Sequence, residues 1–192
     1  MVNLITRHYS RQGLWSLFLL CAFPLHVWTL ILAFRDVSWL TERTNAWDAV
    51  GVVSYGLVFA FLESVIIFLV VALLGYLASG RWNQDRRIAL LTVLVFMSAL
   101  WAMLGQLLYL LDTPLPGAFI IFMVQTGHPA RLLYGATWAI VTLTILIPAL
   151  LVLRSDRVFR FVRGMIERLS LLTMFYLLFD VVGLVIVIVR NV

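Results

Sequence analysis

Residues 50–78 read VGVVSYGLVFAFLESVIIFLVVALLGYLA. One charged side chain, Glu63, interrupts 29 residues. As a helix rising 1.5 Å per residue, the run covers about 43 Å, against about 30 Å for the hydrocarbon core of a bilayer. It reads as a transmembrane helix, longer than a perpendicular crossing needs, and so tilted or extending beyond the hydrocarbon. Four more runs pass the same test: 14–34, 88–111, 131–153 and 169–189. The five runs hold only three charged residues: Glu63, Arg131 and Asp180.

Composition agrees. Of 192 residues, 64% are apolar and 12% charged, and the mean hydropathy is +1.06. Soluble domains are about 45–50% apolar and about 25% charged. Soluble globular, disordered and disulfide-framework classes are thereby excluded. The expected fold is all-α, a bundle of five transmembrane helices forming one domain over 1–192. Cys21 is the only cysteine, so no intramolecular disulfide, CxxC pair or cysteine metal site is available. Arg7 and Arg11 before an apolar stretch resemble a signal peptide, but no small-x-small cleavage site follows. The stretch is therefore expected to be an uncleaved first helix.

All fourteen basic residues are Arg. With the N-terminus inside, ten of them lie on the inner side and four on the outer. The positive-inside rule then places the N-terminus in the cytoplasm and the C-terminus outside. Trp39 and Trp47 fall in the first outer loop, Arg35–Ala49, where interfacial aromatics belong. The second outer loop, 112–130, holds seven apolar residues between Pro/Gly-containing ends. That run is too short to span, and reads as an interfacial, re-entrant or covering segment.

Residues 154–168 place Arg154, Arg157, Arg160 and Arg163 at three-residue intervals, with Arg168 closing the stretch. Val158, Phe161, Val162, Met165 and Ile166 occupy another face. This is the pattern of a basic amphipathic helix on the cytoplasmic leaflet, in contact with anionic headgroups. The alternative is a topology signal in a helical linker. Membrane lipids are the expected partners, with another membrane subunit or a second copy of the chain. Nothing resembles a nucleic-acid-binding surface.

Ionisable groups inside a span are costly and demand an explanation. Counted from the span centres, His26, Glu63 and Asp180 fall within about 3 Å of one depth. Tyr176 shares the face of Asp180, together with Thr173 and Gly183. Gln106 adjoins a stripe of Ser98, Ala102, Gly105 and Tyr109. Gly56, Ala60, Glu63 and Ser64 share one side of the second helix, and small residues allow close helix approach. These stripes are expected to face the bundle interior or a partner chain, with Glu63 and Asp180 pointing inward. The polar cluster His26, Glu63, Asp180, Tyr176 and Gln106 then admits several roles: internal hydrogen bonding, a docking face or lipid-head site, or a proton or cation path.

No catalytic constellation, metal site or cofactor motif is legible. The spans carry no His pair for haem, no Gly-x-Ser protease motif and no spaced Asp array. Three function classes follow from this. The leading one is a non-enzymatic subunit of a membrane complex or a protein handling a lipid or apolar ligand. The second is a proton- or cation-coupled transporter using the midplane carboxylates, with His26 as relay. The third is an enzyme acting at the outer face through Asp112 and His128. Short loops and the absence of an N-x-Ser/Thr sequon favour a prokaryotic inner membrane.

Overall fold

The computed structural model describes residues 9–43, 45–77, 83–112, 114 and 116–192. Arg7 and Arg81, and the side chains of Asp36, Trp39 and Arg43, lie outside the described residues. The described chain is helical throughout: α1 Arg11–Arg43, α2 Ala46–Leu77, α3 Gln84–Leu110, α4 Gly117–Gln125, α5 Pro129–Arg154 and α6 Asp156–Asn191. Five of these, all but α4, are long and apolar enough to cross a membrane. The seven-residue apolar run within residues 112–130 falls in α4. It is largely exposed, buries only Met123 and packs on α5.

Local sequence explains the helix starts. The Asn45 side chain accepts from the Asp48 amide at 2.9 Å, and Asp48 puts a negative charge in the first turn of α2. Ser155 caps α6 by accepting from the Val158 amide, with Asp156 in the first turn. Pro129 opens α5, where a missing N–H costs nothing.

The start of α1 sits at the centre. Leu17, Leu19, Leu20, Cys21 and Ala22 are all fully buried, which requires neighbours on every side of the helix. Those neighbours are α2, α3 and α6; α2 also packs on α6, and α5 attaches mainly to α3. Phe18 meets Phe61 and Phe68 of α2 edge-on, and Phe23 stacks on Phe96 of α3. Only Ala149 and Val152 of α5 are buried, so that helix is peripheral.

One end of the bundle gathers the start of α1, the end of α2, the start of α3 and the α5–α6 turn, and is rich in Arg. Here α6 departs from expectation. Residues 154–168 do not form a separate surface helix: from Asp156 onward they are continuous with the last long helix. Arg86 of α3 binds Asp156 and the Leu153 carbonyl, while Arg163 binds the adjacent Asp85 at 3.2 Å. Asp156 and Arg163 stand about 10 Å apart along a helix. The first turns of α6 therefore cross over the start of α3 rather than run beside it. Val162 and Ile166 are buried against Leu20, Ile88, Ala89 and Val152, so this apolar face covers helix ends instead of lying in a lipid surface. Phe161 and Met165 stay exposed.

Two further contacts fasten the ends of α2. At the Arg-rich end, the Tyr9 hydroxyl donates to the Ala72 carbonyl at 3.1 Å, seated against Gly75, and the Arg87 guanidinium lies over its ring. Burial pushes the Tyr9 hydroxyl above its ordinary value and Arg87 pulls it back, so the phenol stays protonated at neutral pH. At the other end, Arg190 binds Asp48 at 2.7 Å, stacks on Trp47 and lies against Gly51.

Gly75 tests the Tyr9 seat. A Cβ there would stand 1.9 Å from the Tyr9 hydroxyl and 2.5 Å from Leu91 Cδ1. Gly75→Ala should destabilise by about 1–3 kcal/mol through overpacking. Tyr9→Phe should cost about 1 kcal/mol for the lost hydrogen bond. The double variant should cost less than the sum of the two, since the obstructing oxygen is gone. Unfolding of the detergent-solubilised chain reads all three, and strict additivity would place the obstruction elsewhere.

Candidate functional site

His26 and Asp180 meet inside the bundle. His26 is fully buried and Asp180 is 7% exposed. The imidazole Nδ1 lies 2.8 Å from the Ala22 carbonyl oxygen, which can only accept. Nδ1 therefore carries a proton. Nε2 lies 2.9 and 2.8 Å from the two oxygens of Asp180. Only two arrangements satisfy this geometry: an imidazolium with a carboxylate, or a neutral imidazole accepting from a carboxylic acid. Both are neutral overall, which lets a carboxyl group sit among apolar helices without a bare charge.

Helical spacing builds the surroundings. Thr173, Tyr176, Asp180 and Gly183 lie on one face of α6. Thr173 is fully buried, its hydroxyl donating to the Leu169 carbonyl at 2.7 Å. The Tyr176 ring lies parallel to the imidazole, 6.1 Å between centroids, and also contacts Phe23. A Cβ on Gly183 would stand 3.3 Å from the Ser54 carbonyl oxygen, so this glycine permits the approach of α2 to α6.

Glu63 and Gln106 do not join this cluster. Ala60 and Ser64 are buried, but Glu63 is exposed, which corrects the expectation that it points inward. The reason is angular. Gly56, Ala60 and Ser64 recur every four residues along one stripe, and Glu63 sits 100° from Ser64, at the stripe's border. Its side chain lines a groove of about 450 Å³ between α1, α2 and α3, shared with Trp28, Thr29, Gly56, Ala60 and Gln106. The Trp28 indole N–H is buried there without a hydrogen-bond partner. The expected single polar cluster is thus two: a closed one of His26, Asp180 and Tyr176, and an open one of Glu63 and Gln106 beside the buried indole N–H of Trp28.

The stripe on α3 also faces outward. Ser98, Ala102, Gly105, Gln106 and Tyr109 are exposed, and nothing lies within 4 Å of a Cβ built on Gly105. Arg154, Arg157, Arg160, Arg163 and Arg168 are exposed as well, with Arg163 tied to Asp85 and, at 3.7 Å, to Glu167. No hydrogen bond joins Asp112 to His128 among the described residues, and no group of three metal-ligating side chains forms there. Sequence reading missed the Arg190–Asp48 clamp, whose one signal is opposite charge at the same expected end of the bundle. It also missed the seat of Tyr9 under Gly75, which has no local signal. No family of known proteins, no curated protein and no solved structure matches this chain.

Removing one member of the buried pair strands the other. Asp180→Leu should destabilise by about 3 kcal/mol by leaving His26 Nε2 unpartnered in an apolar site. Asp180→Asn should cost about 1 kcal/mol, because the amide N–H can donate to Nε2. Joining His26→Leu to Asp180→Leu should restore most of the loss. Thermal unfolding in detergent separates these outcomes; a double variant as unstable as the worse single would refute the pairing account.

Proposed function

We propose that the chain is a five-span protein of a prokaryotic cytoplasmic membrane, with its N-terminus inside and its C-terminus outside. In this reading it acts as a non-enzymatic subunit of a membrane complex. The Arg distribution supports the orientation. The observation that carries the role is the groove holding Glu63. In hydrocarbon, an exposed carboxylate and an exposed amide are both costly. A partner helix with hydrogen-bonding side chains opposite Glu63 and Gln106 satisfies both. Gly56 and Ala60 along the groove, and Gly105 next to Gln106, leave room for close backbone approach. The exposed Arg154, Arg157, Arg160 and Arg168 suit anionic headgroups at the cytoplasmic surface.

Gly105 offers a clean test, because its surroundings are open within the chain. Gly105→Trp should leave the fold and its stability unchanged while reducing the size of the complex extracted from native membranes. Gly135→Trp, equally open but on α5, should leave that size as it was. An unchanged complex in Gly105→Trp would remove the docking face.

A second reading, proton-coupled transport, has one supporting observation. Asp180 shares a proton with His26 and borders a cavity between α1, α2 and α6. Asp180→Asn, folded as the parent is, should then abolish pH-dependent flux in proteoliposomes. Parental flux in that variant excludes Asp180 as the carrier.

A further inference from the structure

The cavity beside Asp180 measures about 950 Å³, at the upper end of the roughly 300–1,000 Å³ range of ligand pockets. Its shape follows from how its walls meet. Away from the Arg-rich end α2 and α6 touch, at Ser54 and Gly183 and through Asp48 and Arg190. Toward the Arg-rich end they part, because α6 turns away to cross the start of α3. Phe18 of α1 forms the floor between them, held by its edge contacts with Phe61 and Phe68. The result is a wedge that runs past Asp180 to Leu184 at its narrow end and reaches Arg11 and Trp15 at the other.

The lining is apolar except at Asp180 and Arg11. His26 neutralises Asp180, so no net charge meets whatever fills the wedge there. At the open end Arg11 is exposed, and among the described residues it has no hydrogen-bond or ion-pair partner. From Arg11 to His26, which marks the depth of Asp180, α1 rises about 22 Å. One leaflet contributes about 15 Å of hydrocarbon, half of about 30 Å. The wedge therefore takes an acyl chain with about 7 Å left for glycerol and phosphate. Among the described residues Asp180 is the only carboxylate in the lining, so the ammonium of a zwitterionic lipid would find no partner among them at the mouth.

We propose that this wedge holds one phospholipid with an anionic headgroup, drawn from the inner leaflet. Its chains lie between α2 and α6, and its phosphate rests on the Arg11 guanidinium. The proposal rests on the membrane reading and its orientation, but not on the docking face, since the Glu63 groove opens on another side of α2.

Native mass spectrometry of the full chain tests it, with the protein released from micelles containing equal phosphatidylglycerol and phosphatidylcholine. One phosphatidylglycerol should be retained, at least fivefold over phosphatidylcholine. Arg11→Gln should bring that ratio near one while a lipid is still held. Val65→Trp, which fills the wedge, should abolish retention of both. A ratio unmoved by Arg11→Gln, or retention unmoved by Val65→Trp, overturns the proposal. A second measurement needs no core substitution. Phosphatidylglycerol with brominated chains, in vesicles, should quench the parent more than Trp15→Phe, and brominated phosphatidylcholine should not. Equal quenching by the two lipids overturns the headgroup assignment. Insertion is read separately: the chain should stay with membranes through an alkaline carbonate wash, and release would overturn the membrane reading itself.

Discussion

A carboxyl group placed among apolar helices must share its charge or give it up, and Asp180 does so through His26. The bond is specific because the Ala22 carbonyl fixes the proton on Nδ1 and leaves Nε2 as the only atom that can meet the acid. It joins α1 and α6 at one level, and the other contacts of α6 follow from that register. Ser170 and Thr173 turn inward about three and two turns earlier, and Gly183 meets Ser54 about one turn later. Ile166 reaches the start of α3, so the first turns of α6 must cross it to arrive from the end of α5. The pair is a weak source of net stability, since burying two polar groups offsets much of what their contact returns. Its effect is on which arrangement is allowed, because any other register leaves both groups unsatisfied.

Glu63 shows the opposite outcome for the same kind of group. It lies one position from a buried serine, yet among the described residues no histidine or arginine meets it, and its side chain turns out into a groove. Two carboxylates of similar depth therefore do different work. One is closed inside a neutral pair and fixes the chain to itself; the other is left open beside the amide of Gln106. In the proposed membrane setting, that difference separates what holds the subunit together from what it offers to a partner.

Much of this was legible in residue order. The five apolar runs fall within the five long helices apart from their last residues, since 88–111 ends one residue past α3 and 78 lies outside the described residues. Depth counting picked out His26 and Asp180, because a polar residue at the centre of an apolar run is conspicuous. It could not separate Glu63 from them. Depth along a helix is one coordinate, and rotation about its axis is another; the four-residue stripe of Gly56, Ala60 and Ser64 drew Glu63 to the wrong side of its own boundary. The fate of residues 154–168 was illegible for a related reason. An amphipathic helix shows that it has an apolar face, but lipid and protein satisfy that face equally well, and only the position of Ile88 and Leu20 decides between them.

The same geometry explains why both grooves border α2. This helix is fastened near its two ends, by Tyr9 at Ala72 and by Arg190 at Asp48, and by close contact at Gly56 with Thr29 and at Gly183 with Ser54. Between those points its sides are uneven. Phe61, Leu62 and Val65 face the wedge beside Asp180, while Phe59, Ala60 and Glu63 face the groove toward α3. Leu62 and Glu63 are consecutive, so a single turn of backbone forms part of both walls. The middle of α2 therefore separates the wedge from the Glu63 groove, and α1 contributes to both walls, with Phe18 on one side and Thr29 on the other.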